Sequence, residues 1–194
     1  MHFTLADLIT DITQNGAEAD SGLVELDVSE TADFAGAGKR ELRFTVKDNG
    51  KGMTAGELKL AQDPFVTDGI KHPHRKVGLG LPFLIQTAEH SGGGWKMESE
   101  KRVSPEAPCG TTVTAWFDLG NVDTPPMGDI PGMFRTVLLF EGPAEMLIRR
   151  VREDSQGRVE YEIRKTELVD ALGGLEDAQS LILLDKYLRS LEES

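Results

Sequence analysis

Two carboxylates and two glycine pairs are the residues of this chain whose types and spacing suit chemistry. Asp48 opens the run Asp48-Asn49-Gly50-Lys51-Gly52. A carboxylate followed by bare backbone suits a flat ligand: the oxygen accepts from an exocyclic amine, and glycines let a ring approach the main chain. The same letters describe an ordinary Asx turn, so the run acquires meaning only from its company. Asp11 and Asn15 stand four residues apart and share a face if helical. Together they offer oxygen ligands to a hydrated magnesium ion, although a plain solvated face has the same composition.

The second glycine pair is Gly78-Leu79-Gly80-Leu81. Glycines at a helix start expose N–H groups, which with the helix dipole suit a phosphate. Lys71, His72, His74, Arg75 and Lys76 immediately precede it, a basic run in an acidic chain. It is not a Walker loop, because no G-x-x-x-x-G-K-[ST] occurs, nor a dinucleotide fingerprint, because Phe83 occupies the third glycine position. His72 and His74 flank Pro73 without a third or fourth ligand nearby, which makes a poor zinc site. Cys109 is the only cysteine and is expected as a small core or loop residue.

These residues need elements to hold them. Leu5, Leu8, Ile9 and Ile12 predict a helix from Phe3 to about Ala19. Strands are predicted at 23–28 and, by the alternation of Leu42, Phe44 and Val46, immediately before Asp48. Thr54 with Glu57 three residues on is a capping-box signature for a helix over 54–62. A glycine-opened helix runs to about His90, and two more strands follow, WKMESE and TTVTAWFDL. Beyond Leu119 come a proline-rich connector, MFRTVLLF (strand or helix), a hairpin and two helices. The last helix carries a stripe of Leu181, Leu184, Leu188 and Leu191, suited to internal packing or a dimer seam, with internal packing expected.

With 194 residues, the chain is long enough for one core, with or without a small annex. A net charge of −12 argues against a nucleic-acid surface. The N-terminus lacks a signal-peptide pattern and no apolar run reaches membrane-spanning length. With a single cysteine, the expectation is a reducing cytoplasm and no membrane.

Taken in order, the pieces resemble the GHKL family of histidine-kinase-like ATPases. DITQNGAEA (11–19) is similar to its N-box and KDNGKGM (47–53) to its first glycine box. DPFVT (63–67) resembles the phenylalanine box of the kinases, VGLGL (77–81) the second glycine box, AEHSGG (88–93) the helix end that follows, and GTTV (110–113) the closing strand. The resemblance covers about residues 5 to 118. It implies an α+β fold: a two-layer sandwich with a mixed, largely antiparallel sheet and helices on one face. An ATP-binding domain over 1–119 would precede a C-terminal extension over 120–194.

It also implies ATP and Mg2+ as ligands. Asp48 would take the adenine amino group, with Gly50, Gly52 and Met53 along the base and ribose. Asn15 would coordinate magnesium. Lys71, Arg75 and Lys76 would close over the triphosphate as a lid. Gly78, Gly80 and Leu81 would offer N–H groups to phosphate, and Thr112 would support Asp48. The segment after Leu119 looks too short for the larger second domain of gyrase-, chaperone- and mismatch-type members, and no phosphoacceptor hairpin precedes the N-box. His90 is not that phosphoacceptor. The expectation is a stand-alone ATP domain, similar to anti-sigma-factor serine kinases or to small ATP-binding proteins that accompany iron hydrogenases. Where hydrolysing members carry Glu four residues before the asparagine, this chain has Asp11, about one methylene shorter in reach. Phosphoryl transfer to a protein partner or slow hydrolysis is therefore expected, with Asp11 catalytic. A non-catalytic nucleotide sensor is the alternative, and a homodimer stays open.

Overall fold

The computed structural model describes residues 4–32, 40–63, 80–155 and 157–193. Helix α1 (Leu5–Ala17) starts with a reciprocal cap: the Asp7 N–H donates to Thr4 Oγ1 at 3.1 Å, and the Thr4 N–H to Asp7 Oδ2 at 2.9 Å. Its buried stripe is Leu5, Leu8, Ile9 and Ile12, continued by Thr13, Gly16 and Ala17. Strands β1 (Leu23–Ala32) and β2 (Arg40–Asp48) pair antiparallel, with Val24 opposite Asp48. The short helix α2 (Ala55–Ala61) has the capping box that Thr54 and Glu57 predict, and touches the core only through the half-buried Leu58. Then come α3 (Gly80–His90), β3 (Gly94–Glu100) and β4 (Gly110–Asp118).

The stretch left open between strand and helix is α4 (Ile130–Leu138). Asp129 caps it through the Gly132 N–H, Pro131 fits the first turn, and Ile130, Met133, Phe134, Val137 and Leu138 form one buried stripe. β5 (Glu145–Asp154) and β6 (Gly157–Arg164) are the expected hairpin, followed by α5 (Lys165–Leu172) and α6 (Ala178–Glu192).

The six strands of the described residues join one sheet in the order β3-β4-β2-β1-β5-β6. Every neighbour is antiparallel except β1 and β5, which run parallel. The hairpin expected in a C-terminal extension thus prolongs the sheet of the N-terminal half. One apolar core joins Val24, Leu26, Phe44, Val46, Ala115, Phe117 and Ile148 to the stripes of α1 and α4 and to Leu84, Leu184 and Leu188. The stripe on α6 therefore packs internally at Leu184 and Leu188. This is the expected α+β sandwich, a largely antiparallel sheet backed by helices.

Arg150 is the largest side chain fully buried in it. Its guanidinium meets Glu30 of β1 at 3.1 Å and Glu192, the last residue of α6, at 3.0 Å. The Glu192 carboxylate also accepts from the Tyr161 hydroxyl, and its backbone carbonyl from Arg152 at 2.7 Å. This network fastens the end of α6 to the sheet.

Candidate functional site

Alternation along β2 turns Leu42, Phe44, Val46 and then Asp48 toward the helices. The strand therefore ends by burying a carboxylate in line with its core residues, and Asp48 is 6% exposed. The Gly50 N–H donates to its Oδ1 at 2.8 Å. Its Oδ2 faces Gly16 of α1, where an added Cβ would lie 3.7 Å away. Burial raises the Asp48 pKa above the ordinary aspartate value, against the opposing pull of the Gly50 and Thr111 amides. A buried carboxylate on the border between sheet and helix suits a donor that arrives without its own water.

The turn after Asp48 is held on every side. Asn49 Oδ1 accepts from the Gly22 and Leu23 N–H groups at 2.8 and 3.0 Å. The Lys51 N–H donates to the Ala19 carbonyl at 2.8 Å. A Cβ on Gly50 would stand 2.4 Å from that same Ala19 oxygen. Gly52 has φ +59°, and its Cβ would fall 1.8 Å from the Glu100 oxygen. Close approach of the chain's own backbone thus requires both glycines, whatever else lies against them. The Met53 N–H donates to Ser99 Oγ at 2.8 Å, and the Met53 side chain packs on the core.

One expected position is corrected by the register. Asp48 stands opposite Thr111, whereas Thr112 stands opposite Lys47. Successive side chains of a strand point to opposite faces, so Thr112 faces away from Asp48 and Thr111 shares its side. Ser99 Oγ, within hydrogen-bond distance of Thr111 Oγ1 at 2.8 Å and of the Gly110 carbonyl at 3.0 Å, ties β3 to this point. Counting the alternation back from Phe117, Ala115 and Val113 identifies Thr111 in the sequence. Nothing in the sequence singles out Ser99.

On α1, Asp11 and Asn15 both sit at exposed positions. Gly80, the first residue of α3, lies beside them: an added Cβ would be 3.7 Å from Asn15 Nδ2 and 3.9 Å from Asp11 Cβ. Consecutive residues of one helix thus face the two glycine segments, Gly16 toward Asp48 and Asn15 toward Gly80. Leu81 is in the first turn of α3, where N–H groups have no acceptor within the helix. Its side chain packs against the core. Lys71, Arg75, Lys76, Gly78, His72 and His74 lie outside the described residues.

Among the described residues no group of three or more His, Cys, Asp or Glu side chains is placed to hold a metal. Asn15 offers a hard oxygen at an exposed position, which fits a magnesium ion that takes most of its ligands from phosphate and water. Among the described residues no helix is long and apolar enough to cross a membrane.

Comparison with known proteins adds a family. The model described as histidine kinase-, DNA gyrase B- and HSP90-like ATPase matches residues 2–121. No curated protein matches the chain. Among solved structures, a mycobacterial sensor histidine kinase, MprB, is similar at 21% identity and a TM-score of 0.39, over 58% of this chain and 69% of its own. The Aquifex aeolicus MutL ATPase domain complexed with ADP is similar at 13% identity and a TM-score of 0.46, over 90% of this chain and 70% of its own.

Proposed function

Because the chain belongs to the histidine kinase-, DNA gyrase B- and HSP90-like ATPase family, we propose that it binds Mg·ATP with the base at Asp48. The observation that carries this reading is the placement of α1, which sets Gly16 against Asp48 and Asn15 beside Gly80. A base held at Asp48 has its phosphates within the span of that helix, toward the start of α3. In this reading Asp48 accepts the adenine amino group, and Thr111 in place of Thr112 supports it from the facing strand.

The reaction we propose is phosphoryl transfer to a protein partner or slow hydrolysis to ADP and phosphate. The nucleophile's oxygen forms a bond to the γ-phosphorus as the bond to the β–γ bridging oxygen breaks. Asp11 accepts or orients the nucleophile's proton, its shorter reach being bridged by water. Asn15 would hold the magnesium ion, which would supply charge neutralisation on the phosphates. Gly78, Gly80 and Leu81 donate N–H groups to the phosphates, and Lys71, Arg75 and Lys76 close over them. Residues 1–119 carry the ATP-binding motifs, and 120–194, whose hairpin continues the same sheet, are the part that a partner reads. The protein works in the cytoplasm.

A second reading, a nucleotide sensor without turnover, rests on one contact. The Leu5 and Ala6 N–H groups donate to the Pro126 and Met127 carbonyls at 2.9 Å each. The connector to the extension is thus bonded to the first turn of the site helix. Incubation with γ-labelled ATP and magnesium separates the two. Labelled phosphate released or transferred by the wild type, and lost in Asp11→Ala, supports the enzyme. Label that stays on bound ATP in both proteins supports the sensor.

A further inference from the structure

In the loop between β3 and β4, Arg102 reaches the glycine turn with its side chain and its main chain. Arg102 Nη2 donates to the Asn49 carbonyl at 3.0 Å and to the Asp20 carbonyl at 3.2 Å. Its Nη1 meets Asp20 Oδ2 at 3.0 Å, and its Nε points to Cys109 Sγ at 3.4 Å. The Arg102 backbone N–H also donates to the Lys51 carbonyl at 2.9 Å. Asp20, which it holds, is a non-glycine residue at positive φ, 61°. Two backbone carbonyls of the turn, Asn49 and Lys51, are thus tied to one residue. The residue between them, Gly50, aims its N–H at Asp48 Oδ1.

We propose that Arg102 is the positioning residue of the base site, fixing the turn 49–51 against the Asp20 loop and so setting the direction of the Asp48 carboxylate. The inference rests on the reading of Asp48 as the acceptor of the adenine amine. The planar guanidinium carries five donors in a fixed fork, and at least four donor–acceptor contacts use three of its nitrogens here. A lysine keeps the charge for Asp20 but cannot reach the Asp20 and Asn49 carbonyls with one coplanar group. Without the fork, the Asn49 carbonyl keeps only the weak, 3.6 Å contact from Cys109 Sγ among its side-chain partners. The carboxylate then loses its fixed aim. Adenine offers an amine donor where guanine offers a carbonyl acceptor, so the aim of Asp48 should be read out as base preference.

The test is the ratio of GTP to ATP dissociation constants, measured by calorimetry with magnesium for wild type, Asp48→Asn, Arg102→Ala, Arg102→Lys and Lys101→Ala. The wild type should prefer ATP. Arg102→Ala should weaken ATP about tenfold, the worth of one charge-assisted hydrogen bond, and leave GTP nearly unchanged. Arg102→Lys should fail to restore the ratio, and it serves alone if the alanine variant does not fold. Lys101→Ala, which removes the neighbouring ion pair with Glu57, should keep the wild-type ratio. A merely structural role would weaken both nucleotides alike. If Asp48→Asn loses the preference but both Arg102 variants keep it, the positioning role is overturned and the base site stands. If Asp48→Asn also keeps it, the base-site reading falls and this inference falls with it.

Discussion

At the scale of single residues, Asp48 sets binding against folding. Its raised pKa means that the folded protein disfavours the ionised form, so this group contributes stability below its unfolded pKa and loses it as pH rises through the folded value. Asp48→Asn should therefore raise the melting temperature of the nucleotide-free protein at neutral pH. The gain should shrink as pH falls toward the ordinary aspartate range and vanish once both forms are neutral, which melting curves from pH 3 to 8 would show. The same variant should weaken ATP by about 10- to 100-fold. Gly52→Ala is expected to act on folding instead. With φ +59° and a Cβ 1.8 Å from the Glu100 carbonyl, it should cost about 2 kcal/mol or more in denaturant unfolding. Asp48, Asn15, Gly50 and Gly52 could be singled out in the sequence because each stands in a short contiguous run. Thr112 was misplaced because a shift of one residue exchanges the faces of a strand. Arg102 was illegible because its partners, at positions 20, 49 and 109, are brought together only by the fold.

At the scale of elements, ion pairs fasten α2 and the C-terminal end of α6, while apolar stripes pack α1 and the middle of α6 on the core. Glu57, in the cap of α2, has its pKa held down to about 2, chiefly by the Thr54 N–H, with Lys101 and the Thr54 hydroxyl adding to it. Its contribution is present above the free glutamate value of about 4.5 and is lost as pH falls through about 2. Amide exchange in α2 should accelerate over that window in the wild type and show no such step in Glu57→Gln. Glu192→Ala should act more strongly at α6, because it strips the nearest carboxylate from a guanidinium only 1% exposed. The expected loss is about 3 kcal/mol in denaturant unfolding. Helices with a clean apolar stripe and a capping residue were readable to within about two residues. MFRTVLLF was not, because a short apolar run fits a buried strand as well as a helix. Its Asp129 cap, its first-turn proline and its helical burial stripe decide the matter in the structure.

At the scale of the whole molecule, the sheet does not stop where the resemblance does. Parallel pairing of β1 with β5 cannot come from a tight turn, and residues 119–144 form the crossover through α4. No local pattern announces which strand a later hairpin will join, so the six-strand order was beyond the sequence reading. A chain cut after residue 119 would bare the β1 edge and the core side of α1. It should be insoluble or unfolded, as judged by circular dichroism and gel filtration. The proposed function rests on one site for Mg·ATP at the Asp48 end of this sheet. The most direct test is calorimetric titration of the full chain with ATP and magnesium, beside Asp48→Asn. Saturable binding of one ATP per chain is expected in the wild type, weakened by at least about tenfold in the variant. Equal affinity in the two proteins, or no binding by the wild type, would contradict it.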